Sequence, residues 1–531
     1  MNSTASYRFH LPGLDEAELG WLAQELAFVL RSGDVIALVG DLGAGKSTLA
    51  RAVIRTLADD PHHEVPSPTF TLVQTYETGS TPIAHFDLYR LSAAEELNEL
   101  GFEHLMQTGA ALVEWPDRAE DRLPAEHLEI SLDDPGGSGE TRDVALTGNG
   151  AWAARLKRFE VMHGLLADAG FQGGEAKLKI IAADASARGY ARVEKAVTGS
   201  ATSQPSSAFV MDWPKHPDGP PLRDGKPYSQ IAKLAEHVTP FIAVARALKE
   251  AQLSAPEIYA TDEDAGFILL EDFGEQGYAQ ALTAGVPQDA LWRNAVDALV
   301  HLRSLPADQP LGGTDEVDAA YTLPELDKTI LEIETDLVPD WLWPAVHGAP
   351  MTEDEHTAYR QIWSPIFDEI LSEPTGWLLR DYHSPNLLHL PQREGFQAAG
   401  MIDFQDALQG PLAYDLVSLL QDARLDVPEE LETELLAHYI ATVRQREPVF
   451  GDEAESRFRS IYAMLGAERN TKILGIFVRL AKRDGKTRYL AHMPRIWGYL
   501  ERNLRHPDLK PLAQWYDKAF PRDLRGRTLS L

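Results

Sequence analysis

The sequence contains no cysteine. Disulfides, thiolate nucleophiles, cysteine-ligated zinc and iron–sulfur clusters are therefore excluded. Basic residues are also scarce, because 49 Lys and Arg stand against 81 Asp and Glu, which gives a formal net charge of −32. A protein that wraps nucleic acid or docks on anionic lipid needs a surplus of positive charge, so neither class is expected.

Long apolar runs are missing as well. No stretch approaches the ~18 consecutive apolar residues of a membrane-spanning helix, and the first residues, MNSTASYRFHLPGLDEAE, hold no basic segment followed by an apolar run. We therefore expect a cytoplasmic protein that makes no membrane contact.

The length of 531 residues predicts at least two domains, because single hydrophobic cores stop growing near about 250–300 residues. A helical pattern covers residues 151–170, and we place the boundary between the domains near residue 156. The second part, residues 157–531, begins with short strands and continues with helices. This order predicts a small lobe over about 160–275 and a large helical lobe over about 276–531.

A glycine-rich motif, GDLGAGKST, follows the apolar run VIALV and precedes an amphipathic helical pattern. This arrangement predicts a P-loop, in which backbone N–H groups surround phosphates, the lysine reaches the β- and γ-phosphates, and the serine hydroxyl binds Mg²⁺. The residues expected at the nucleotide are Gly40, Asp41, Leu42, Gly43, Ala44, Gly45, Lys46, Ser47 and Thr48.

A P-loop enzyme also needs carboxylates that hold Mg²⁺ and position water. Asp87, in PIAHFDLYRL, is one candidate, although its strand is only weakly apolar. Glu114 is the stronger one, because it ends the buried run ALVE. The adjacent Trp115 has two interpretations, stacking on a base or packing in the core, and the second is the more common for a tryptophan after a strand.

Four motifs in the first 150 residues, GDLGAGKST, VPSPTFTLVQTYE, HFDLYRL and VEWPDR, resemble TsaE, the bacterial ATPase of tRNA threonylcarbamoyladenosine synthesis at position 37. The resemblance implies that Ser47 and Asp87 lie at Mg²⁺ and that Glu114 is the catalytic carboxylate. It implies a nucleotide-responsive loop at residues 67–70. It also implies that the partners are a TsaB–TsaD pair, so that tRNA would be contacted only indirectly.

A second set of motifs, WLLRDYHSPNLLHL and MIDFQDA, lies in the second part of the chain. Asp381, Asn386 and Asp403 have the spacing of kinase-like phosphotransferases, in which the first Asp accepts the proton of the attacking hydroxyl. Asn386 and the second Asp would hold Mg²⁺. A further acid, Asp415, heads a predicted helix.

The tripeptide Asp272-Phe273-Gly274 spells a protein-kinase metal motif, but it precedes the catalytic loop by about 110 residues and so lies on the wrong side of it. We reject it as a metal site. Because it follows the apolar run FILLE, it fits a hinge between lobes, where backbone atoms of Glu271 and Phe273 would meet the adenine.

The second part resembles the aminoglycoside phosphotransferase-like family, and its RDYHxxN form resembles the anomeric kinases of N-acetylmuramate and N-acetylglucosamine in cell-wall recycling. In that resemblance ADASARGYARV, with Ser186, is the turn that covers the phosphates, and FVMDWP is the next strand. The predicted fold is thus α/β, a P-loop NTPase-like domain followed by a two-lobed, protein-kinase-like α+β domain.

Two positions depart from the family pattern. Leu379 replaces the usual histidine two residues before the catalytic Asp, and Met211-Asp212 stands where many relatives have a phosphate-binding lysine. Arg188 or Arg192 could supply the missing charge, because a guanidinium suits phosphate. His383 is interpreted as a structural support of the loop rather than as the base.

The leading hypothesis is a fusion of a tRNA-modification ATPase with an ATP- and Mg²⁺-dependent small-molecule kinase that acts on an amino sugar. One alternative is a second domain that has lost catalysis and serves binding or regulation, and another is an antibiotic kinase. The acceptor pocket is expected beside residues 314–377, where most aromatics are interpreted as helix-packing core. These aromatics are Tyr321, Trp341, Trp343 and Trp363.

Overall fold

The computed structural model describes residues 5–79, 81–119, 122–137, 139–181, 188–195, 205–215, 219–311 and 320–529. The chain forms two compact units. The first comprises Met1–Lys215 and Ile258–Asp272, and the second comprises His216–Glu257 and Phe273–Leu531.

The strands, in chain order, are β1 (Ser6–Leu14), β2 (Val35–Val39), β3 (Val73–Tyr76), β4 (Ile83–Asp87), β5 (Ala110–Glu114), β6 (Leu128–Asp133), β7 (Arg142–Asn149), β8 (Ala176–Ile181), β9 (Gly189–Lys195), β10 (Ser207–Asp212), β11 (Pro221–Arg223), β12 (Lys226–Pro227), β13 (Ile258–Asp262), β14 (Phe267–Glu271), β15 (Thr375–Leu378), β16 (Leu387–His389), β17 (Ala399–Met401) and β18 (Leu408–Pro411).

The helices are α1 (Glu16–Val29), α2 (Lys46–Leu57), α3 (Glu96–Glu99), α4 (Phe102–Leu105), α5 (Ala151–Asp168), α6 (Tyr228–Ala232), α7 (Thr239–Glu250), α8 (Tyr278–Thr283), α9 (Gln288–Leu302), α10 (Lys328–Thr335), α11 (Trp343–His347), α12 (Glu353–Leu371), α13 (Tyr414–Leu420), α14 (Glu429–Arg446), α15 (Asp452–Asp484), α16 (Met493–Asn503), α17 (Lys510–Ala519) and α18 (Arg522–Arg525).

A seven-stranded sheet in the order β1-β7-β6-β2-β5-β4-β3 forms the centre of the N-terminal region. Its middle strands β6, β2, β5 and β4 are parallel, and β2 and β5 are buried on both faces. Parallel strands end at the same edge, so the segments that follow β2, β4 and β5 meet there. The predicted P-loop and both predicted carboxylates occupy this edge.

The first unit also contains a five-stranded antiparallel sheet, β13-β14-β10-β9-β8. The buried side chains of both sheets belong to one hydrophobic cluster, which runs from Leu19 and Leu49 through Phe159 to Val193 and Leu269. The two sheets of the first unit therefore share one continuous hydrophobic core.

Helix α5 joins the two sheets of the first unit. Its buried residues recur at intervals of three and four, as an amphipathic helix requires, and Arg155 contacts Asp34 ahead of β2 at 2.5 and 2.7 Å. One turn later, Arg158 lies 2.5 Å from Asp212 on β10 and donates to the Ala265 carbonyl at 2.7 Å. Residue 156, the predicted boundary, therefore lies inside a helix that is bonded to both sheets, and the boundary stays a prediction.

The second unit is mainly helical and packs around the 33-residue helix α15. Two short antiparallel ladders, β15 with β18 and β16 with β17, flank residues 379–386 and 402–407. These ladders fix both ends of the predicted catalytic loop. Helices α9 and α12 lie in the range where the sequence predicts a large helical lobe.

Candidate active sites

Three segments converge at the edge of the seven-stranded sheet. Asp87 and Glu114 are paired residues at the ends of adjacent parallel strands, and Leu38 of β2 pairs with Glu114 from the other side. Gly40, directly after β2, has φ +144°, and a Cβ there would meet the Leu132 carbonyl oxygen at 2.5 Å. Only glycine fits this close approach, which begins the turn into helix α2.

Lys46 lies at the centre of this loop. Its Nζ donates to the carbonyls of Gly40 at 2.6 Å and Asp41 at 2.9 Å, and it lies 3.9 Å from the centroid of the Trp115 ring. Burial lowers its pKa, while the carboxylates of Glu114 and Asp87 oppose that shift. The lysine is thus held by backbone oxygens and can turn toward phosphate.

Trp115 takes part in core packing, and stacking on a base stays a prediction. Its ring is partly buried and packs against the core beside Phe86, and it also contacts Tyr89, with 5.0 Å between the ring centroids. Its third contact is the Lys46 ammonium, a cation–π interaction that supports the P-loop from the side of the strand ends.

Glu114 has a partner at each oxygen. The Ser47 hydroxyl donates to its Oε2 at 2.9 Å, and His85 Nε2 lies 2.8 Å from its Oε1. His85 and Asp87 are two residues apart on β4 and therefore face the same side of the sheet. The structure brings the predicted Ser47, Asp87 and Glu114 together in a cavity of 290 Å³.

The predicted switch-like loop bonds directly to the second carboxylate. Thr69 Oγ1 donates to Asp87 Oδ2 at 2.7 Å, Ser67 Oγ lies 3.4 Å from the same oxygen, and Phe70 is 82% exposed. A cation that binds the Asp87 carboxylate would displace a hydroxyl that is hydrogen-bonded to it. The loop therefore contacts the carboxylate that is predicted to hold Mg²⁺, and its switching stays a prediction.

Sequence reasoning missed two residues of this site. His85 was part of a motif but had no assigned role, although its place two residues before Asp87 was a usable signal. Arg142 on β7 donates from Nε to the Ala44 carbonyl at 2.7 Å and from Nη2 to the Gly43 carbonyl at 3.4 Å. Because 98 residues separate Arg142 from Ala44, no local pattern could have shown this contact.

In the second unit the three kinase-like residues are neighbours. Asn386 Nδ2 donates to the Asp381 carbonyl at 3.0 Å and lies 3.4 Å from Asp403 Oδ2, while Gln405 Nε2 donates to Asp403 Oδ1 at 3.1 Å. Asp403 has φ +62°, a strained conformation for aspartate that is common at functional sites. The predicted base and both predicted metal ligands thus form one cluster.

Two buried carboxylates hold the catalytic loop. Asp415 accepts from the backbone N–H groups of Leu379 at 2.6 Å and Arg380 at 2.9 Å, and Asp422 accepts from the N–H of Ser384 at 2.6 Å. Burial raises the pKa of Asp415 to about 7, and the two hydrogen bonds oppose the rise. These bonds support the loop although Leu379 replaces the usual histidine.

Arg380, directly before the predicted base, has φ +72° and is buried. Its guanidinium donates to the Ala232 carbonyl at 2.7 Å and to Glu334 Oε1 at 2.9 Å, and Lys472 on α15 also donates to Glu334, at 2.7 Å. Burial raises the pKa of Glu334, but the two cations outweigh it and leave that pKa below its ordinary value. The ionised Glu334 carboxylate, bonded to both Arg380 and Lys472, thus holds Arg380 in place directly before Asp381.

His383 lies inside the loop, with Nε2 3.9 Å from Asp381 Oδ1. Burial is the main reason why its pKa is lowered, and the charges of Asp381 and Asp422 oppose that shift. The role of His383 as a support for the loop stays a prediction.

The predicted nucleotide residues of the small lobe lie along the five-stranded sheet. Arg188 stands 4.9 Å from the Trp213 ring centroid, and Arg192 Nε is 2.6 Å from Asp272 and 3.0 Å from Glu194. Arg192 is thus bound to carboxylates, which a phosphate would have to replace. Ser186 lies outside the described residues.

The predicted hinge follows directly after this sheet. Glu271 is the last residue of β14. Phe273 has the Arg393 guanidinium 5.1 Å from its ring centroid. Adenine binding at Glu271 and Phe273 stays a prediction.

Met211 and Asp212 both stabilise the fold of the first unit. Met211 is fully buried, and Asp212 forms the ion pair with Arg158 that fastens α5 to the sheet. Both residues therefore contribute to packing within the first unit.

The aromatics near residues 320–370 mostly pack between helices, as expected. Trp363 is 1% exposed and stacks on Phe367, and Trp343 stacks on Trp515 with 6.3 Å between centroids. Tyr321 is partly buried, and burial together with the charge of Asp406 raises its pKa to about 12.

Within the described ranges, no helix is both long and apolar enough to cross a bilayer. The same ranges contain no cluster of three or more His, Asp or Glu side chains arranged to bind a metal. The residues predicted to hold Mg²⁺ instead combine a hydroxyl or an amide with a carboxylate, donors that suit Mg²⁺ when phosphates and water complete its coordination.

Comparison with known proteins confirms both family resemblances. Residues 14–144 match the family of the threonylcarbamoyl adenosine biosynthesis protein TsaE, and residues 177–449 match the phosphotransferase enzyme family. An N-acetylmuramate/N-acetylglucosamine kinase of Caulobacter vibrioides is 34% identical over 358 residues, 66% of this chain and 94% of that protein.

Two further relatives support the division. An N-acetylmuramate/N-acetylglucosamine kinase of Pseudomonas putida is 31% identical over 52% of this chain and 77% of its own length. A tRNA threonylcarbamoyladenosine biosynthesis protein TsaE of Rickettsia felis is 40% identical over 22% of this chain and 69% of its own length. The kinase and TsaE likenesses thus fall on different parts of the sequence, in the order that the motifs predict.

Proposed function

Because the chain belongs to the phosphotransferase enzyme family and carries a TsaE domain ahead of it, we propose that it is a cytoplasmic bifunctional enzyme. The first activity is the ATP hydrolysis that tRNA threonylcarbamoyladenosine synthesis requires. The second is ATP-dependent phosphorylation of the anomeric hydroxyl of N-acetylmuramate or N-acetylglucosamine. The observation that carries the kinase activity is the cluster of Asp381, Asn386 and Asp403 on a loop held by Asp415.

In the first activity the chain would bind ATP on the backbone of the P-loop, with Lys46 at the β- and γ-phosphates. Glu114 would orient the attacking water, and its contacts with Ser47 and His85 hold it at the cavity. The family likeness implies a TsaB–TsaD pair as partner. The charge of −32 favours contact with tRNA through these partners rather than through this chain.

In the second activity the Asp381 carboxylate would accept the proton of the sugar hydroxyl. The sugar oxygen forms a bond to the γ-phosphorus while the bond from that phosphorus to the β–γ bridging oxygen breaks, so the products are sugar phosphate and ADP. Such a loose transition state requires little base strength, and a carboxylate of ordinary basicity suffices.

Magnesium would be held by Ser47 and Asp87 in the first site and by Asn386 and Asp403 in the second. Bound Mg²⁺ supplies electrostatic stabilisation of the phosphate oxygens. The chain's own contribution is to orient these donors, through the strand ends in one site and through Gln405 and the Asp381 backbone in the other.

The test uses the full chain with Lys46→Ala, which removes hydrolysis by the P-loop and so lowers the background of ADP release. ATP with N-acetylmuramate, N-acetylglucosamine or kanamycin is offered in turn, and phosphorylated product is identified by ³¹P NMR. We expect phosphate on the anomeric oxygen of one or both amino sugars. Transfer to kanamycin alone would indicate an antibiotic kinase, and no transfer to any acceptor would refute the kinase proposal.

A further inference from the structure

Arg90 lies at the P-loop cavity of the first unit, three residues after Asp87. The described residues that line this cavity of 290 Å³ include two cations, Lys46 and Arg90, and two carboxylates, Asp87 and Glu114. Arg90 is exposed, and its guanidinium forms no ion pair with any carboxylate in the described part of the chain. It can therefore bind an anion in the cavity without first leaving a counter-charge.

Asp87 connects the turn that carries Arg90 to the loop at residues 67–70. Its Oδ1 accepts from the backbone N–H of Tyr89 at 3.1 Å, and its Oδ2 accepts from Thr69 Oγ1 at 2.7 Å. Arg90 thus follows directly after a residue whose backbone is bonded to the carboxylate that is predicted to hold Mg²⁺. Its main chain is held at the cavity, and only its side chain has to move to reach a phosphate there.

The side chain of Arg90 rests on an aromatic ring. Its Cζ lies 4.3 Å from the centroid of the Phe70 ring, which is 82% exposed. A cation–π contact at an exposed site is weak. Charge-assisted hydrogen bonds from a guanidinium to phosphate oxygens are stronger, so a phosphate in the cavity would displace the ring. Phe70 therefore keeps the guanidinium beside the cavity without preventing its transfer to a phosphate.

The reaction proposed for this cavity needs a second positive charge. The water oxygen forms a bond to the γ-phosphorus while the bond from that phosphorus to the β–γ bridging oxygen breaks, and the electron pair of the broken bond stays on ADP. The water proton passes to Glu114. Lys46 supplies one positive charge, whereas Asp87 and Glu114 add negative charge to that of the phosphates. A second cation at the transferred group would stabilise the charge on its oxygens.

We propose that Arg90 is a catalytic residue of the first site, which leaves Phe70 and binds the γ-phosphate in the transition state. The inference rests on the proposed ATP hydrolysis. Phosphate-transferring enzymes obtain such an arginine either from their own chain or from a partner protein. Because Arg90 lines the same cavity as Lys46 and Glu114, this chain supplies it itself.

The experiment measures ATP hydrolysis by the full chain without a sugar acceptor. For Arg90→Met we expect kcat to fall about 100-fold or more, while KM for ATP stays within about threefold, because the lost contact belongs to the transition state. Arg90→Lys should fall between, since the charge remains without the planar guanidinium. Arg122→Met is the matched control, because Arg122 is an exposed arginine that pairs with Glu95 and does not line the cavity. It should leave both constants unchanged.

A binding measurement separates this role from a structural one. Fluorescent ADP is titrated with and without aluminium fluoride, which mimics the transferred phosphoryl group, and Lys46→Ala identifies the binding that belongs to the P-loop. In the parent the fluoride should tighten this binding about 10-fold or more. Arg90→Met should lose that gain and keep the parent's affinity for ADP alone. Its melting temperature should equal that of the parent, because the side chain is exposed.

The outcomes distinguish the inference from the proposed function. A parent without Lys46-dependent hydrolysis refutes the ATPase proposal, and the fluoride complex then decides on Arg90 alone. The inference is wrong if Arg90→Met hydrolyses ATP or binds the fluoride complex as the parent does, or if fluoride does not tighten binding in the parent. An equal loss of affinity for ADP and for its fluoride complex would also overturn it, because Arg90 would then bind nucleotide without preference for the transition state.

Discussion

The Ser47 hydroxyl, in the first turn of helix α2, donates a hydrogen bond of 2.9 Å to Glu114, the carboxylate that ends β5. The other oxygen of Glu114 lies 2.8 Å from His85 Nε2. The serine that is predicted to bind Mg²⁺ and the carboxylate that is predicted to orient the attacking water are therefore joined by one hydrogen bond. A cation at Ser47 would take a lone pair of the hydroxyl, and the O–H could still donate to Glu114 Oε2.

Glu114→Gln should lower ATP hydrolysis by roughly 100-fold or more, because an amide neither carries charge nor accepts a proton from water. Nucleotide affinity should change little, since the P-loop backbone is untouched. Phosphate release and fluorescent-nucleotide binding measure the two effects. Glu99→Gln, an exposed carboxylate of the same region, is the control. A Glu114→Gln variant that hydrolyses ATP normally would remove Glu114 from the catalytic role.

Asp381→Asn should reduce sugar phosphorylation by roughly 100-fold or more while ATP still binds, because the change removes the proton acceptor and leaves Asn386 and Asp403 in place. His383→Asn should cost less, since the imidazole lies 3.9 Å from Asp381 and supports the loop. Single-turnover transfer rates test both variants. If transfer survives in Asp381→Asn and is lost in His383→Asn, the base is His383.

The sequence predicted the contiguous parts of both sites and missed the parts that depend on distant residues. The conformation of the loop from Gly40 to Thr48 is determined by adjacent residues, because its glycines and the helix that follows them specify a P-loop. The spacing of Asp381 and Asn386 is equally local. Arg142, by contrast, reaches the P-loop from another strand 98 residues away.

Asp212 is a second residue whose partner could not be predicted from the sequence. As a departure from a family pattern it suggested a lost lysine, whereas the structure pairs it with Arg158, 54 residues earlier. Only the packing of α5 on the five-stranded sheet creates this pair. Charge partners across elements have no periodic signature, so composition and spacing do not show them.

The buried Asp415 should make stability depend on pH. Because burial raises its pKa to about 7 in the fold, the folded state holds a proton that the unfolded chain releases near pH 4, so stability falls as pH rises toward 7 and then levels. Asp415→Asn lacks this titration. Between pH 5.5 and 7 the parent should lose about 2 kcal/mol relative to the variant. Urea unfolding of both proteins across pH 5.5–8 measures the difference, and parallel curves would contradict the raised pKa.

The Arg158–Asp212 pair should be necessary for the stability of the first unit. Both side chains are mostly buried, so Arg158→Met leaves Asp212 as an unpaired charge and should cost about 3 kcal/mol or more. Lys157→Met, an exposed neighbour on α5, should cost far less. The double variant Arg158→Met with Asp212→Leu should recover part of the loss, because an apolar pair leaves no buried charge behind. Thermal and urea unfolding of the parent, the single variants Arg158→Met and Asp212→Leu, and the double variant give the coupling energy between the two side chains. If the two losses simply add, the ion pair does not fasten α5 to the sheet, and the apolar contacts of that helix alone hold the two sheets together.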